Sequence, residues 1–401
     1  MFQAIILSKM KRVFCISKLV GLKVLGAATV TLLICHVIKL CFNNTSEHMK
    51  NCVLGNANIA KLVGTPQEKE LKYLLEYFSN NIKTVINPEE KVHIVTAAND
   101  KYLIGVIGLI KSTFRRSLNT DLIQFEVFLT PDQNASLIED LKQSKEYNDD
   151  KWSINIHRFT EKEVEPYINK RFNQKSCNAA FCNARGNLKN PHNWVRYILF
   201  QRLPDVNYCL WVDADISAHK DVVQFVMETT RTSSERDELK SAVQKSQTVN
   251  LFGKSFRENF LIGAPPSCDI CPKPRGYGGF VKRVYDTLRK NKFDPQDKPH
   301  FNAGFIIINL DLWRKRNIDE DMLRITEVNN KHALWTDLGS QAPLTILLGG
   351  PKFFKLPIEV LELTLGFRNK TAPNKGTYFL HWNGVHKPWL KDGLNKHLWE
   401  F

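Results

Sequence analysis

From Val92 onward the sequence alternates short apolar runs of strand length with amphipathic runs of helix length, and no other feature constrains the fold as tightly. V-H-I-V-T-A-A at 92–98 reads as a buried strand, and 102–114 as the helix after it, with Leu103, Val106, Ile107 and Ile110 on one face. Residues 123–129 read as a strand, 131–141 as a helix and 153–159 as a third strand. Residues 194–203 then read as a helix leading into the apolar stretch at 208, and 301–310 as a further strand. Such alternation predicts an α/β fold, a mostly parallel sheet with helices on both faces and ligands bound at the carboxyl ends of the strands. Between these elements, 231–299 is charged, holds Cys268 and Cys271, and carries a P-x-P-R-G-Y-G-G loop at 272–279; it is expected to be a variable insertion.

The stretch Y-C-L-W-V-D-A-D-I at 208–216 ends a strand with two carboxylates. Side chains two residues apart in a strand share a face, so Asp213 and Asp215 can aim at one point. Two hard oxygen ligands at a strand end suit a divalent cation that itself holds phosphate oxygens. A solvated acidic turn is the alternative for an isolated D-x-D. The segment H-W-N-G-V-H-K-P-W-L at 381–390 adds an imidazole, a glycine and a lysine at short spacing, which favours the site.

With 401 residues, of which 43% are hydrophobic and 10% aromatic, the chain can bury the core of one large domain or two small ones. A formal charge of +15 and a pI near 9.3 suit anionic partners, among them nucleotide phosphates, acidic glycans and membrane surfaces. Nucleic acid is the least favoured of these, because no basic stretch is interleaved with aromatic residues. Residues 1–23 are basic, with Lys9, Lys11, Arg12, Lys18 and Lys23, and precede an apolar run that, with its flanking lysines, is read as a membrane span over 24–42. A cleavable signal peptide is the rival reading, but no small-x-small pattern closes the run. Basic residues before the span keep the N-terminus cytoplasmic and place the rest in the lumen. Sequons begin at Asn43, Asn44, Asn134 and Asn369, all on that side, so a glycoprotein is expected. Residues 43–88 read as a stem and 89–401 as the catalytic domain. The close pairs Cys177/Cys182 and Cys268/Cys271 are candidate disulfides in an oxidising lumen, with a zinc site as the alternative, while Cys209 reads as a buried small hydrophobe.

Taken in order, V-T-A-A-N-D-K-Y at 95–102, Arg196, W-V-D-A-D-I at 211–216, H-F-N-A-G-F-I-I-I-N-L-D-L-W-R at 300–314, L-G-S-Q at 338–341 and H-W-N-G-V-H-K-P-W at 381–389 resemble the retaining glycosyltransferases of family 8, which include glycogenin, bacterial galactosyltransferases and plant galacturonosyltransferase-like proteins. The resemblance covers about three quarters of the chain, from Val92 to Phe401. It implies a Rossmann-like, GT-A type nucleotide-sugar-binding fold with a mixed sheet flanked by helices. It also implies that Ala97, Ala98, Asn99 and Tyr102 receive the base and ribose of a UDP-sugar, with Ala214, Gly304, Gly384 and Arg196 as further donor contacts. Asn99 stands where aspartate is common, and its amide oxygen can still accept from the uracil N–H. Asp213, Asp215 and His381 are then expected to hold Mn2+, since a mixed carboxylate and imidazole set suits manganese. Lys387 is expected to meet the β-phosphate and Asn302 to line the sugar pocket. Gln341, an amide and a poor nucleophile, occupies the place below the sugar ring, which points to front-face displacement rather than a covalent intermediate. Where many members have a Trp-Asn pair, this chain has Val360 and Leu361 before L-G-F at 365–367, which leaves the acceptor unspecified. The resemblance further implies a single-pass type II Golgi membrane protein and a glycan, glycoprotein or glycolipid acceptor.

Two other readings stay open at this level. One is a magnesium-dependent phosphatase or phosphotransferase using an aspartyl nucleophile, in which the 381–390 segment has no task. The other is a non-catalytic subunit that binds sugar nucleotides as a scaffold.

Overall fold

The computed structural model describes residues 86–87, 89–144, 153–168, 190–245, 247–266, 282–294, 301–334 and 339–399. Its strands, in chain order, are β1 (Val92–Ala97), β2 (Ile123–Leu129), β3 (Ser153–Arg158), β4 (Tyr208–Val212), β5 (Ile216–Ala218), β6 (Ile262–Ala264), β7 (Phe305–Asn309), β8 (Phe354–Lys355), β9 (Leu361–Glu362) and β10 (Phe379–His381). Its principal helices are α1 (Leu103–Arg116), α2 (Ser136–Gln143), α3 (Val222–Thr229), α4 (Ser233–Gln244), α5 (Ile318–His332) and α6 (Gln341–Leu348).

Seven strands form the central sheet in the order β3-β2-β1-β4-β7-β6-β8. β1, β2, β3 and β4 run parallel to one another, β7 is antiparallel to both β4 and β6, and β8 is parallel to β6. The sheet is therefore parallel but for one reversed strand. All seven residues of β2 are buried, as expected of a strand covered on both faces. On one face Ile94, Phe125, Val127 and Leu210 pack with Ile107, Ile110 and Phe114 of α1 and with Val222 and Val226 of α3. On the other, Val95, Phe128, Cys209, Trp211 and Ile306 pack with Trp194, Tyr197, Leu344 and Met322. Burial raises the Cys209 thiol, which stays protonated as a core residue.

Several elements differ from the sequence expectation. The helix after β2 begins at Ser136 rather than near 131, because Thr130 to Gln133 form a turn closed by the Gln133 side chain. The expected helix at 194–203 is a tight 3-10 segment, Pro191–Tyr197, followed by a short α-helical turn at Leu199–Arg202; Asn190 caps it by accepting the His192 backbone N–H. The stretch 231–299, expected to be an insertion, supplies α4 and also β6, a member of the central sheet. α4 begins with a capping box in which Thr232 and Glu235 satisfy each other's backbone N–H groups. The expected span at 24–42, the stem at 43–88 apart from residues 86–87, and the cysteine pairs Cys177/Cys182 and Cys268/Cys271 lie outside the described residues. Among the described residues no helix is long and apolar enough to cross a membrane.

Candidate active site

The reversal of β7 assembles the site. Because β4 and β7 run in opposite directions with Val212 opposite Phe305, the end of β4 lies beside the beginning of β7, and the Asp213 N–H donates to the Gly304 carbonyl at 2.8 Å. Residues 213–215 and 302–304, far apart in sequence, thus share one edge. A small sheet, β5-β10-β9, adds the third component. β10 is antiparallel to β5 with His381 opposite Ile216, and the Trp382 N–H donates to the Asp215 carbonyl at 2.9 Å. β1 lies parallel to β4 with Val95 beside Trp211, so Ala97 ends at the level of Asp213.

The structure brings Asp213, Asp215 and His381 together, one ligand atom of each lying within 4.8 Å of the others; no comparable group of His, Cys, Asp or Glu occurs among the described residues. His381 Nε2 is 3.3 Å from Asp215 Oδ1. Asp213 Oδ1 accepts from Trp211 Nε1 at 2.8 Å and from the Arg196 guanidinium at 3.2 Å, while Oδ2 faces Gly304. Gly304 is the floor of this cluster. A Cβ there would stand 2.7 Å from Asp213 Oδ2, 2.8 Å from His381 Cε1 and 2.9 Å from Asn302 Oδ1. The Asn302 side chain accepts the Gly304 N–H at 2.8 Å and holds that turn.

These residues fit a divalent cation. They offer two carboxylates and an imidazole around a hollow kept open by a glycine, and the His381 Nδ1 is buried with no hydrogen-bond partner, so that nitrogen is not spent on a structural bond.

Positive charge surrounds the cluster. Arg196 is buried, donates to the Ala303 carbonyl as well as to Asp213, and stacks 4.5 Å from the Trp211 ring centroid. Lys387 is buried, donates to the Trp382 carbonyl at 2.8 Å and to Asp215 Oδ2, and lies 5.6 Å from the Tyr102 ring centroid. Burial opposes the charge on Asp215, but the Lys387 ammonium and the His381 ring outweigh it and hold the carboxyl well below the usual range. Burial likewise opposes the charge on Lys387, and Asp215 with its neighbours more than compensates, so the ammonium is held charged.

Gln341 begins α6, and its Oε1 accepts from the Ala303 N–H at 3.2 Å, which sets it beside the Asn302–Gly304 turn. Gly384 has φ of +132° and its backbone packs against Gly366, conditions that exclude other residues. Ala98 is buried, and the Asn99 Oδ1 is buried without a hydrogen-bond partner. Tyr102 meets Trp389 edge to face at 5.7 Å, so the loop after β1 and the segment after β10 lie together. Ala214 sits under α1: a Cβ on Gly105 would stand 2.2 Å from its carbonyl oxygen.

Sequence reasoning passed over Trp211, Gly105, Gln133 and His192. Trp211 was legible in principle, since it lies two residues before Asp213 at the end of β4. Gly105, Gln133 and His192 carry no local signal, because their roles depend on contacts with distant segments.

The sequence model of Glycosyl transferase family 8 matches residues 93–393. Among curated relatives, probable galacturonosyltransferase-like 6 of Arabidopsis thaliana is 23% identical over 317 residues, 77% of this chain and 76% of its own length. Glycosyltransferase 8 domain-containing protein 2 of Bos taurus is 24% identical over 225 residues, 54% of this chain and 59% of its own. Among solved structures, galactosyltransferase LgtC in complex with donor and acceptor sugar analogs matches 75% of this chain and 90% of its own at 16% identity and a TM-score of 0.47. Mouse xyloside xylosyltransferase 1 matches 73% and 97% at 13% identity and a TM-score of 0.43.

Proposed function

The chain belongs to glycosyl transferase family 8, and from that premise we propose that it is a retaining enzyme moving a hexosyl or pentosyl group from a UDP-sugar to a glycan, glycoprotein or glycolipid. The observation that carries this reading is the Asp213, Asp215 and His381 cluster with Gly304 at its floor and two buried cations beside it. Asp213, Asp215 and His381 would hold the divalent ion, manganese in this reading, which when bound supplies Lewis-acid neutralisation of the donor diphosphate. Lys387 adds a fixed positive charge where the leaving diphosphate gains negative charge, and its burial strengthens that interaction. Arg196 holds Asp213 and the Ala303 carbonyl in place from below. Ala97, Ala98, Asn99 and Tyr102 receive uridine. Gly384 lets the backbone approach the phosphates, and Asn302, Gly304 and Ala214 line the space between diphosphate and sugar.

In the transfer step the bond from the anomeric carbon to the phosphate oxygen breaks and a bond to the acceptor oxygen forms on the same face. The acceptor proton passes to the departing phosphate oxygen. Gln341, held against the Ala303 N–H, presents an amide dipole to the oxocarbenium-like sugar and forms no covalent bond to it. We place the protein in the Golgi membrane as a single-pass type II protein, with residues 1–23 cytoplasmic, 24–42 spanning, 43–88 a stem and 89–401 catalytic and lumenal.

Turnover tests the proposal. Full-length protein with Mn2+ is incubated with UDP-glucose, UDP-galactose, UDP-xylose and UDP-galacturonic acid, and released UDP is measured. Release from at least one donor, abolished by chelator and restored by Mn2+, is expected. Folded protein that releases no UDP from any donor, with or without metal, would sink it.

A further inference from the structure

Asn99, the residue read above as the uracil acceptor, has no side-chain bond to hold its Oδ1. Its position must come from its backbone, whose carbonyl accepts the Tyr102 N–H at 2.8 Å and whose two neighbours are both met by one side chain. Gln133 Nε2 donates to the Ala98 carbonyl at 2.9 Å and to Asp100 Oδ1 at 3.3 Å. The orientation of that amide is not free. Its Oε1 accepts the Thr130 backbone N–H at 2.8 Å, a group that can only donate, so Nε2 must face the loop. His192 Nε2 lies 2.6 Å from the same Oε1, and its Nδ1 lies 2.5 Å from Asn190 Oδ1, so the ring bridges Gln133 and the Asn190 cap. Gln133 and His192 are both buried, and the bonds from Gln133 to the Ala98 carbonyl and between Gln133 and His192 are made away from solvent.

His192 belongs to the Pro191–Tyr197 segment, which four residues later supplies Arg196 to Asp213 and Ala303. The segment is fixed at its start by the Asn190 cap and is buried at Trp194, Val195 and Tyr197. One short strut therefore reaches the loop after β1 through Gln133 at one end and touches the carboxylate cluster at the other.

We propose that Gln133 and His192 are positioning residues that set the nucleobase loop in register with the diphosphate end of the donor site. This rests on residues 97–102 being the uridine loop, as read under the proposed function. The pair does not touch the substrate; it fixes Ala98 and Asp100, and thereby Asn99 between them.

The test compares two probes on full-length protein with Mn2+: UDP, which needs both ends of the site, and inorganic pyrophosphate, which needs only one. Gln133→Glu keeps the one oxygen that meets Thr130 and His192 but replaces the donating Nε2 by a second oxygen turned toward the Ala98 carbonyl and Asp100. His192→Phe removes both ring nitrogens, and His192→Gln keeps a polar group that can donate to Gln133 Oε1. Gln133→Glu and His192→Phe are expected to weaken UDP by about tenfold, the scale of one misplaced buried hydrogen bond, with pyrophosphate unchanged and His192→Gln close to the parent. Equal weakening of UDP and pyrophosphate would reduce the pair to general structural support, and unchanged UDP binding would remove any role. If Gln133→Glu fails to fold, the ratio of the two probes for His192→Phe against His192→Gln decides. A parent that binds pyrophosphate but not UDP would overturn the donor reading itself, and this proposal with it, which separates that failure from loss confined to the variants.

Discussion

Replacing Gly304 by alanine is the smallest change that addresses the centre of the site. The added methyl would meet Asp213 Oδ2 at 2.7 Å, His381 Cε1 at 2.8 Å and Asn302 Oδ1 at 2.9 Å, short of the 3.4 Å at which ordinary contact begins by 0.7, 0.6 and 0.5 Å. Gly304 is not among the residues in the left-handed region, so alanine suffers no backbone strain there and the effect is steric. Relief requires either rotation of Asp213, which breaks its bonds to Trp211 and Arg196, or tilting of the His381 ring. Overpacking of this kind costs about 1–3 kcal/mol of stability. Displaced ligand geometry costs about 10–100-fold in metal affinity, and turnover falls at least as far. Mn2+ affinity from the signal of free ion, UDP release from the preferred donor and thermal unfolding would be measured together. A variant that stays folded with parental Mn2+ affinity and turnover would refute the assignment of this hollow to a cation.

Other substitutions probe different links in the same account. Gly105→Ala would drive a methyl to within 2.2 Å of the Ala214 carbonyl oxygen, a backbone atom that cannot swing aside, so a stability loss of about 3 kcal/mol is expected in denaturant unfolding. Arg196→Lys keeps the charge but cannot serve Ala303 and Asp213 while stacking on Trp211, so a drop of about 10–100-fold in kcat/KM is expected with unchanged pH optimum. Glu126 governs acid stability. Burial opposes its charge, but hydrogen bonds from His157 and His93 outweigh burial and lower it from 4.5 to about 2. A depressed carboxyl contributes stability in full above pH 4.5 that is lost as pH falls toward 2. Glu126→Gln should therefore be less stable than the parent near neutrality by about 3 kcal/mol, with the gap closing as pH falls through that window. A gap independent of pH in urea unfolding would contradict the assignment.

Much of the fold was legible because its signals are local. β1, β2 and β3, with α1 between the first two, follow from apolar runs whose length and spacing separate strand from helix. The direction of β7 was not legible: F-I-I-I-N is buried at every position, and a uniformly apolar run carries no mark of its polarity in the sheet. Neither was the β5-β10-β9 sheet, whose two- and three-residue strands are too short to show a period. Both matter for the site, since one brings Gly304 to Asp213 and the other brings His381 to Asp215. The D-x-D pair was picked out by strand alternation, yet β4 ends at Val212 and Asp213 to Asp215 form a turn closed by the Ile216 N–H on the Asp213 carbonyl, so the turn and not the pleat brings the carboxylates together. The third member of the cluster rested on family resemblance. Arg196 shows the limit of local reasoning: on a sequence helix it reads as a solvated cation, and only the folded chain shows it buried beneath Asp213.

The central claim is that one cluster binds the metal through which a uridine diphosphate is held. Calorimetric titration of UDP into full-length protein, with and without Mn2+, for the parent and for Asp215→Asn, tests it most directly. The account predicts binding by the parent only when Mn2+ is present, and loss of that binding in the variant. Failure of UDP to bind under either condition, or equal binding by parent and variant, would contradict it.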